Sequence, residues 1–242
     1  MQELFIFKLG STWPETAQRL GDFDAWTARI LEPLAVDVEV IDIEHGEPLP
    51  GLERCAGAIL TGSHAMVTDR LPWSVRTEAW LRDALDIELP ILGVCYGHQL
   101  LASAAGGHVD YHPRGREIGT VEVRTSPASS SDALFRDLPN SFRAHTTHAQ
   151  SVLELPSAAM HLAGNDYEPN HAFRLGACAW GVQFHPEYDA EIMLAYIRGL
   201  TDQLEAAGRD VDRIAREVTD TPLATELLRR FGTIVAERQR AA

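Results

Sequence analysis

The chain has 242 residues, 45% of them hydrophobic, and its 21 Lys and Arg face 35 Asp and Glu, a formal net charge of -14. This length and apolar content suit one sizeable α/β domain with a modest appendage, and the acidic balance without a basic cluster argues against a nucleic-acid surface. Three cysteines without a CxxC pair exclude a disulfide framework or zinc ribbon, while a non-basic start and no apolar run near ~18 residues give no signal peptide or membrane span, so a cytoplasmic, soluble protein is expected.

Leu4 to Phe7 reads as a buried strand, and Thr16 to Leu34 contains a helical stretch with Leu20, Phe23, Ile30, Leu31 and Leu34 as its inward face. Residues 36–43 alternate like a strand. Ala56 to Leu60 is an apolar strand ending in Thr61-Gly62-Ser63, and a helix carrying Trp80, Leu81 and Leu85 leads to the strand Pro90 to Val94. Gln99 to Ala105 then reads as a small-residue helix. Such alternation argues for parallel strands joined by right-handed crossovers, with helices on both faces and ligands bound beyond the C-terminal strand ends. From Gly107 the pattern changes to short strands at Gly119–Arg124, Ser151–Leu155, Met160–Ala163 and His171–Leu175, for which antiparallel pairing is expected. Ala177 to Phe184 returns to the core as a strand, and Tyr188 to Gln203 reads as the helix behind it. Residues 208–242 form a charged helical tail, with Thr221 as N-cap, Pro222 at the first helical position, and an apolar stripe of Leu223, Leu227, Leu228, Phe231, Ile234 and Val235 expected to pack on the parent domain. The expected division is a domain over residues 1–203 and a C-terminal helical extension over 204–242.

Cys95 falls on the turn between the strand Pro90 to Val94 and the next helix, flanked by Gly93 and Gly97. Gly-x-Cys-x-Gly on a strand-to-helix turn is the cysteine form of a nucleophile elbow, where the helix N-terminus favours the thiolate. A buried structural cysteine fits this stretch equally well. A nucleophilic thiol needs a base held by a third group, and His185 and Glu187 emerge from a buried strand at the same sheet edge. Two apart in extended backbone, with Pro186 fixing φ between them, they point the same way. The backbone N–H of Tyr96 and that of Gly62 or a neighbour are candidate oxyanion donors. His145 with His148, and His108 with His112, have metal-tolerant spacings without a third ligand, so no metal is expected. Cys55 and Cys178 are expected in the core.

Gly93-Val94-Cys95-Tyr96-Gly97-His98-Gln99, Gln183-Phe184-His185-Pro186-Glu187 and the spacing between them resemble the class I glutamine amidotransferases with a Cys-His-Glu triad. Ala58-Ile59-Leu60-Thr61-Gly62-Ser63, Gly106-Gly107-His108-Val109 and Arg116-Glu117-Ile118-Gly119 are similar to the glutaminase domain of GMP synthetase, and the likeness spans roughly residues 56 to 190. The resemblance implies an open, mostly parallel, flavodoxin-like α/β sheet flanked by helices, with a small antiparallel addition and a C-terminal helical tail. It implies that Cys95 attacks the side-chain amide of L-glutamine, that His185 protonates the departing ammonia, and that water resolves a γ-glutamyl thioester, with no cofactor. Gln99 would contact the substrate, as would His148, Gln150 and Ser151 in Thr147-His148-Ala149-Gln150-Ser151-Val152, which stands where such domains have a Ser-His-Gly-Asp-Ser-Val type segment. Neutral Gln150 in place of an acid leaves room for another γ-glutamyl compound. Three functions follow: a glutaminase delivering ammonia to a synthetase on a separate chain, a stand-alone γ-glutamyl hydrolase or peptidase, and a non-catalytic binding or regulatory module.

Overall fold

The computed structural model describes residues 2–34 and 37–241. The elements run β1 (Glu3–Lys8), α1 (Pro14–Leu20), α2 (Phe23–Leu31), β2 (Val38–Asp42), β3 (Cys55–Leu60), α3 (Pro72–Asp86), β4 (Ile91–Val94), α4 (Tyr96–Ala104), β5 (His108–Tyr111), β6 (Glu117–Thr125), β7 (Ser141–His148) and β8 (Gln150–Glu154). There follow β9 (Met160–Gly164), β10 (Ala172–Leu175), β11 (Ala179–Val182), α5 (Ala190–Gly199), α6 (Thr201–Ala206), α7 (Val211–Arg216) and α8 (Pro222–Ala241). The strand expected over 36–43 is observed as β2; Val36 lies outside the described residues.

Nine strands form one sheet in the order β2-β1-β3-β4-β11-β10-β9-β6-β7, and β5 pairs with β8 apart from it. The first five are mutually parallel, as the strand-helix alternation predicts, and the change of character after Gly107 is the antiparallel continuation of the same sheet. β3 and β4 are buried along their whole lengths because helices cover both faces, which explains their unbroken apolar runs. No helix among the described residues is long and apolar enough to cross a membrane.

Local chemistry sets several boundaries. Gly21, at φ +88°, splits the expected Thr16–Leu34 helix into α1 and α2, and the Asp22 carboxylate accepts the Phe23 N–H at 2.9 Å to open the second. Thr221 and Pro222 start α8 as expected, with the Thr221 carbonyl accepting from Ala224 and Thr225, but Thr221 Oγ1 has no partner among the described residues and does not cap. Of the expected stripe, Leu227, Leu228, Phe231 and Val235 are buried, whereas Leu223 is exposed and Ala224 takes its place against the core. Phe231 meets Trp180 of β11 edge-on, 6.2 Å between ring centres, so α8 covers one face of the sheet.

Candidate active site

The turn after β4 is shaped by two close approaches. A Cβ on Gly93 would lie 2.4 Å from the Gly97 carbonyl oxygen, and one on Gly97 would lie 2.5 Å from that of Leu60, so the turn closes and α4 rests on β3 only without side chains there. Between them Cys95 adopts φ +50°, ψ -99°, a conformation that costs a residue with a Cβ ~1–3 kcal/mol and is held by the surrounding structure. Its N–H donates to Val182 O at 2.9 Å, tying the turn to β11, and it is the residue immediately before α4.

The chain leaving β11 brings the second group. β11 lies in register with β4, Val182 opposite Val94, so His185 emerges beside Cys95, and its N–H donates to His145 O of β7 at 2.8 Å. His185 Nδ1 lies 2.7 Å from Glu187 Oε1. Because a carboxylate only accepts, Nδ1 carries the proton. Nε2 makes no hydrogen bond of ordinary geometry among the described residues, although the ring and the Cys95 thiol shift each other's protonation. The ring stacks on Tyr188, 4.0 Å between centres at 20°, with Phe23 beside both.

Burial pushes the Cys95 thiol up, but the charge of His185 and, more weakly, that of His148 outweigh it and leave the thiol below its ordinary range. Burial likewise pushes His185 down, and Glu187 and Cys95 together reverse this, so the imidazolium is favoured. Cys55 and Cys178 are buried too, but there burial outweighs the nearby arginines, pushing Cys55 up to about 11 and raising Cys178. A thiol poised toward thiolate and a histidine poised toward its cation are the requirements of nucleophilic attack followed by protonation of a leaving group.

The sequence model of the family described as "Glutamine amidotransferase class-I" matches residues 21–197. The chain belongs to this family. A GMP synthase (glutamine-hydrolyzing) from Aeropyrum pernix is 34% identical over 171 residues, covering 69% of this chain and 31% of that protein. Gamma-glutamyl peptidase 4 from Arabidopsis thaliana is 27% identical over 194 residues, covering 79% of this chain and 75% of that protein. The chain thus spans less than a third of the length of that GMP synthase but most of the peptidase. In fold it is similar to a glutamine amidotransferase crystal structure from Thermotoga maritima, with a TM-score of 0.79, 23% identity, and 98% and 99% of the two chains covered. Both the fold class expected above and the family resemblance are borne out.

Cys95 opens into a pocket of about 240 Å³ at the C-terminal ends of the parallel strands, lined by Tyr96, Gln99, Arg116, His148 and Gln150 among others. Tyr96, the first residue of α4, is held by its hydroxyl, which donates to Ser74 Oγ at 2.8 Å. Gly62, two residues past the end of β3, lies close to His185; a Cβ there would sit 3.1 Å from His185 Cε1. Gln99 Nε2 donates to Gln150 O at 2.8 Å and Gln183 Oε1 at 2.9 Å, so its carbonyl oxygen is the group left for a ligand.

The other three residues expected to hold substrate are engaged elsewhere. Gln150 Oε1 accepts from the Val67 N–H at 3.0 Å and Nε2 donates to Thr68 Oγ1 at 2.5 Å, so this amide fastens a short turn rather than facing a ligand. Ser151 is the next residue of β8; strand alternation turns it from the pocket, and its hydroxyl donates to buried Glu168. His148 has acceptors at both ring nitrogens, Gln150 O at 2.8 Å and Glu117 Oε2 at 3.1 Å, which makes it a buried imidazolium beside the thiol rather than a free donor. Glu117 also meets His171 Nε2 at 3.2 Å and Asn165 Nδ2 at 2.9 Å. Trp13, His64 and Tyr196 form an aromatic wall, with ring centres of Trp13 4.8 Å from both others. Sequence reading missed them because they come from three separate segments with no shared spacing.

Proposed function

We propose that the protein hydrolyses the terminal amide of a γ-glutamyl-type substrate through a thioester on Cys95, with His185 and Glu187 completing the triad. The observation that carries this reading is Cys95 held at φ +50° between Gly93 and Gly97, in a pocket beside a His185 ring whose far nitrogen is 2.7 Å from Glu187. The Cys95 thiolate adds to the amide carbonyl carbon, and the oxyanion is met by the N–H groups of Tyr96 and Gly62. Gln99 Oε1 accepts from the amide nitrogen. Collapse breaks the carbon–nitrogen bond as His185 gives its proton to the departing ammonia. Water, deprotonated by His185, then adds to the thioester, releasing the acid and restoring the thiol.

The GMP synthase likeness supports glutamine as substrate and ammonia transfer to a synthetase on another chain; a relative from Methanococcus vannielii, named as one subunit of a glutamine-hydrolyzing GMP synthase, is 34% identical over 105 residues, covering 43% of this chain and 53% of that protein. The fuller coverage of gamma-glutamyl peptidase 4 supports the second reading, a free-standing γ-glutamyl hydrolase. Release of ammonia and of a γ-carboxylate is to be measured for glutamine and γ-glutamyl dipeptides, alongside mass-spectrometric trapping of the acyl-enzyme. Turnover with an adduct on Cys95, lost in Cys95→Ala, is expected. Turnover undiminished in Cys95→Ala overturns the assignment.

A further inference from the structure

Glu187 lies behind His185, and the charged side chains that line the pocket itself are of one sign. Among the described residues, the pocket walls contain no Asp or Glu, whereas Arg116 and the His148 imidazolium both face it. The Arg116 guanidinium makes no ion pair and no hydrogen bond to another side chain among the described residues, although the residue is half-buried and close enough to Cys95 for the two to influence each other. A guanidinium left unpaired in a pocket is a fork for a planar anion. In a chain of net charge -14, this patch stands against the overall field.

An α-amino acid brings a carboxylate and an ammonium. The carboxylate has Arg116 to meet it, but the ammonium would enter beside two cations with no carboxylate in the walls, and a buried unpaired charge is costly. Gln150, on the same wall as His148, has its amide engaged by Val67 and Thr68. Trp13, Met66, Tyr196 and Leu200, which also line the pocket, offer apolar and aromatic surface suited to an uncharged substituent.

Resting on the triad reading above, we infer that the preferred substrate is the terminal amide of a dicarboxylic acid whose free carboxylate is bound by Arg116 and whose α-position carries no positive charge, as in an N-acylated or deaminated glutamine. Arg116 is the specificity-determining residue. The chemistry is unchanged: water replaces ammonia on the carbonyl carbon.

The test compares L-glutamine, N-acetyl-L-glutamine, glutaramate and butanamide as substrates of the full chain, and their calorimetric binding to Cys95→Ala. N-acetyl-L-glutamine or glutaramate should exceed L-glutamine at least tenfold in kcat/KM and in affinity. Arg116→Gln should raise KM for the carboxylate-bearing amides tenfold or more while changing butanamide little. L-glutamine equal to or better than both uncharged analogues, in turnover or in binding, overturns the inference, as does an Arg116→Gln effect uniform across all four. Failure of any amide to be hydrolysed, with the binding order and its Arg116 dependence intact, would instead remove the nucleophile assignment and leave the ligand class standing. Absence of binding by all three carboxylate-bearing compounds overturns the ligand class.

Discussion

Cys95 combines backbone strain with electrostatic tuning, and the two can be separated. Glycine adopts positive φ freely, so Cys95→Gly should be more stable than Cys95→Ala by about 1 kcal/mol in urea unfolding; equal stability would show the turn to be relaxed. Replacing Glu187 removes the anion that favours the His185 cation, and with it part of the field that lowers the thiol; the direct repulsion by which Glu187 raises the thiol is the smaller effect. Glu187→Gln should therefore move the pH midpoint of iodoacetamide alkylation of Cys95 upward and cost ~10²–10⁴-fold in kcat/KM. An unchanged alkylation profile would mean that Glu187 positions the ring without tuning it. Gly93, Cys95 and Gly97 were legible as an elbow because they stand at fixed spacing on one turn, although the backbone that excludes a Cβ at Gly97 is that of Leu60 on β3. Arg116 was visible only through family likeness, since nothing in its neighbours shows that it faces a thiol.

At the scale of elements, the junction of β6, β7 and β8 organises the wall behind the thiol. Glu117 and His148 are directly opposite in the β6–β7 ladder, so their side chains share a face and meet in the interior. Their ion pair is buried, and Glu117→Gln should destabilise the fold by about 3 kcal/mol near pH 6. Despite its burial, Glu117 is held below its ordinary 4.5 by His148 and His171, so its contribution is present above that pH and fades as acid protonates it. Burial lowers His148, but Glu117 and Glu168 outweigh it and hold the ring above its ordinary 6.5; its contribution is complete below 6.5 and fades as pH rises through the raised value. Urea titrations of both proteins should accordingly show the widest gap between pH 4.5 and 6.5. A gap independent of pH would mean that packing, not charge, is lost. The parallel strands were readable because burial on both faces leaves apolar runs; β7 was not, because Ser141–His148 is polar in sequence yet buries His145, Thr146, Thr147 and His148.

For the whole molecule, the site depends on elements far apart in the chain, and α8 helps to hold them. Its buried face covers residues of β3, β7 and β11, the same strands that carry Gly62, His148 and His185 to the sheet edge. Phe231→Ala should cost about 3–5 kcal/mol, read as a lower urea midpoint with the same slope. If α8 were only an appendage, its loss of packing would leave the main transition unchanged. The amphipathic stripe announced this helix, but Leu223, expected in the stripe, is exposed and Ala224 is buried instead, since the sequence shows periodicity while the neighbouring surface decides where the stripe ends.

By itself, the sequence determined the α/β class, the parallel half of the sheet, the elbow, and the pairing of His185 with Glu187, because each follows from local spacing: apolar runs, glycines at a sharp turn, and two residues apart in extended backbone. Only the tertiary structure decided which polar groups remain available to a ligand. Gln150, Ser151 and His148 look like binding residues until their partners at Val67, Glu168 and Glu117 come into view, and Arg116 looks ordinary until it is found with no side-chain partner among the described residues. The physical reason is that a buried polar group is defined by what satisfies it, and those partners lie between 17 and 83 residues away for the three side chains.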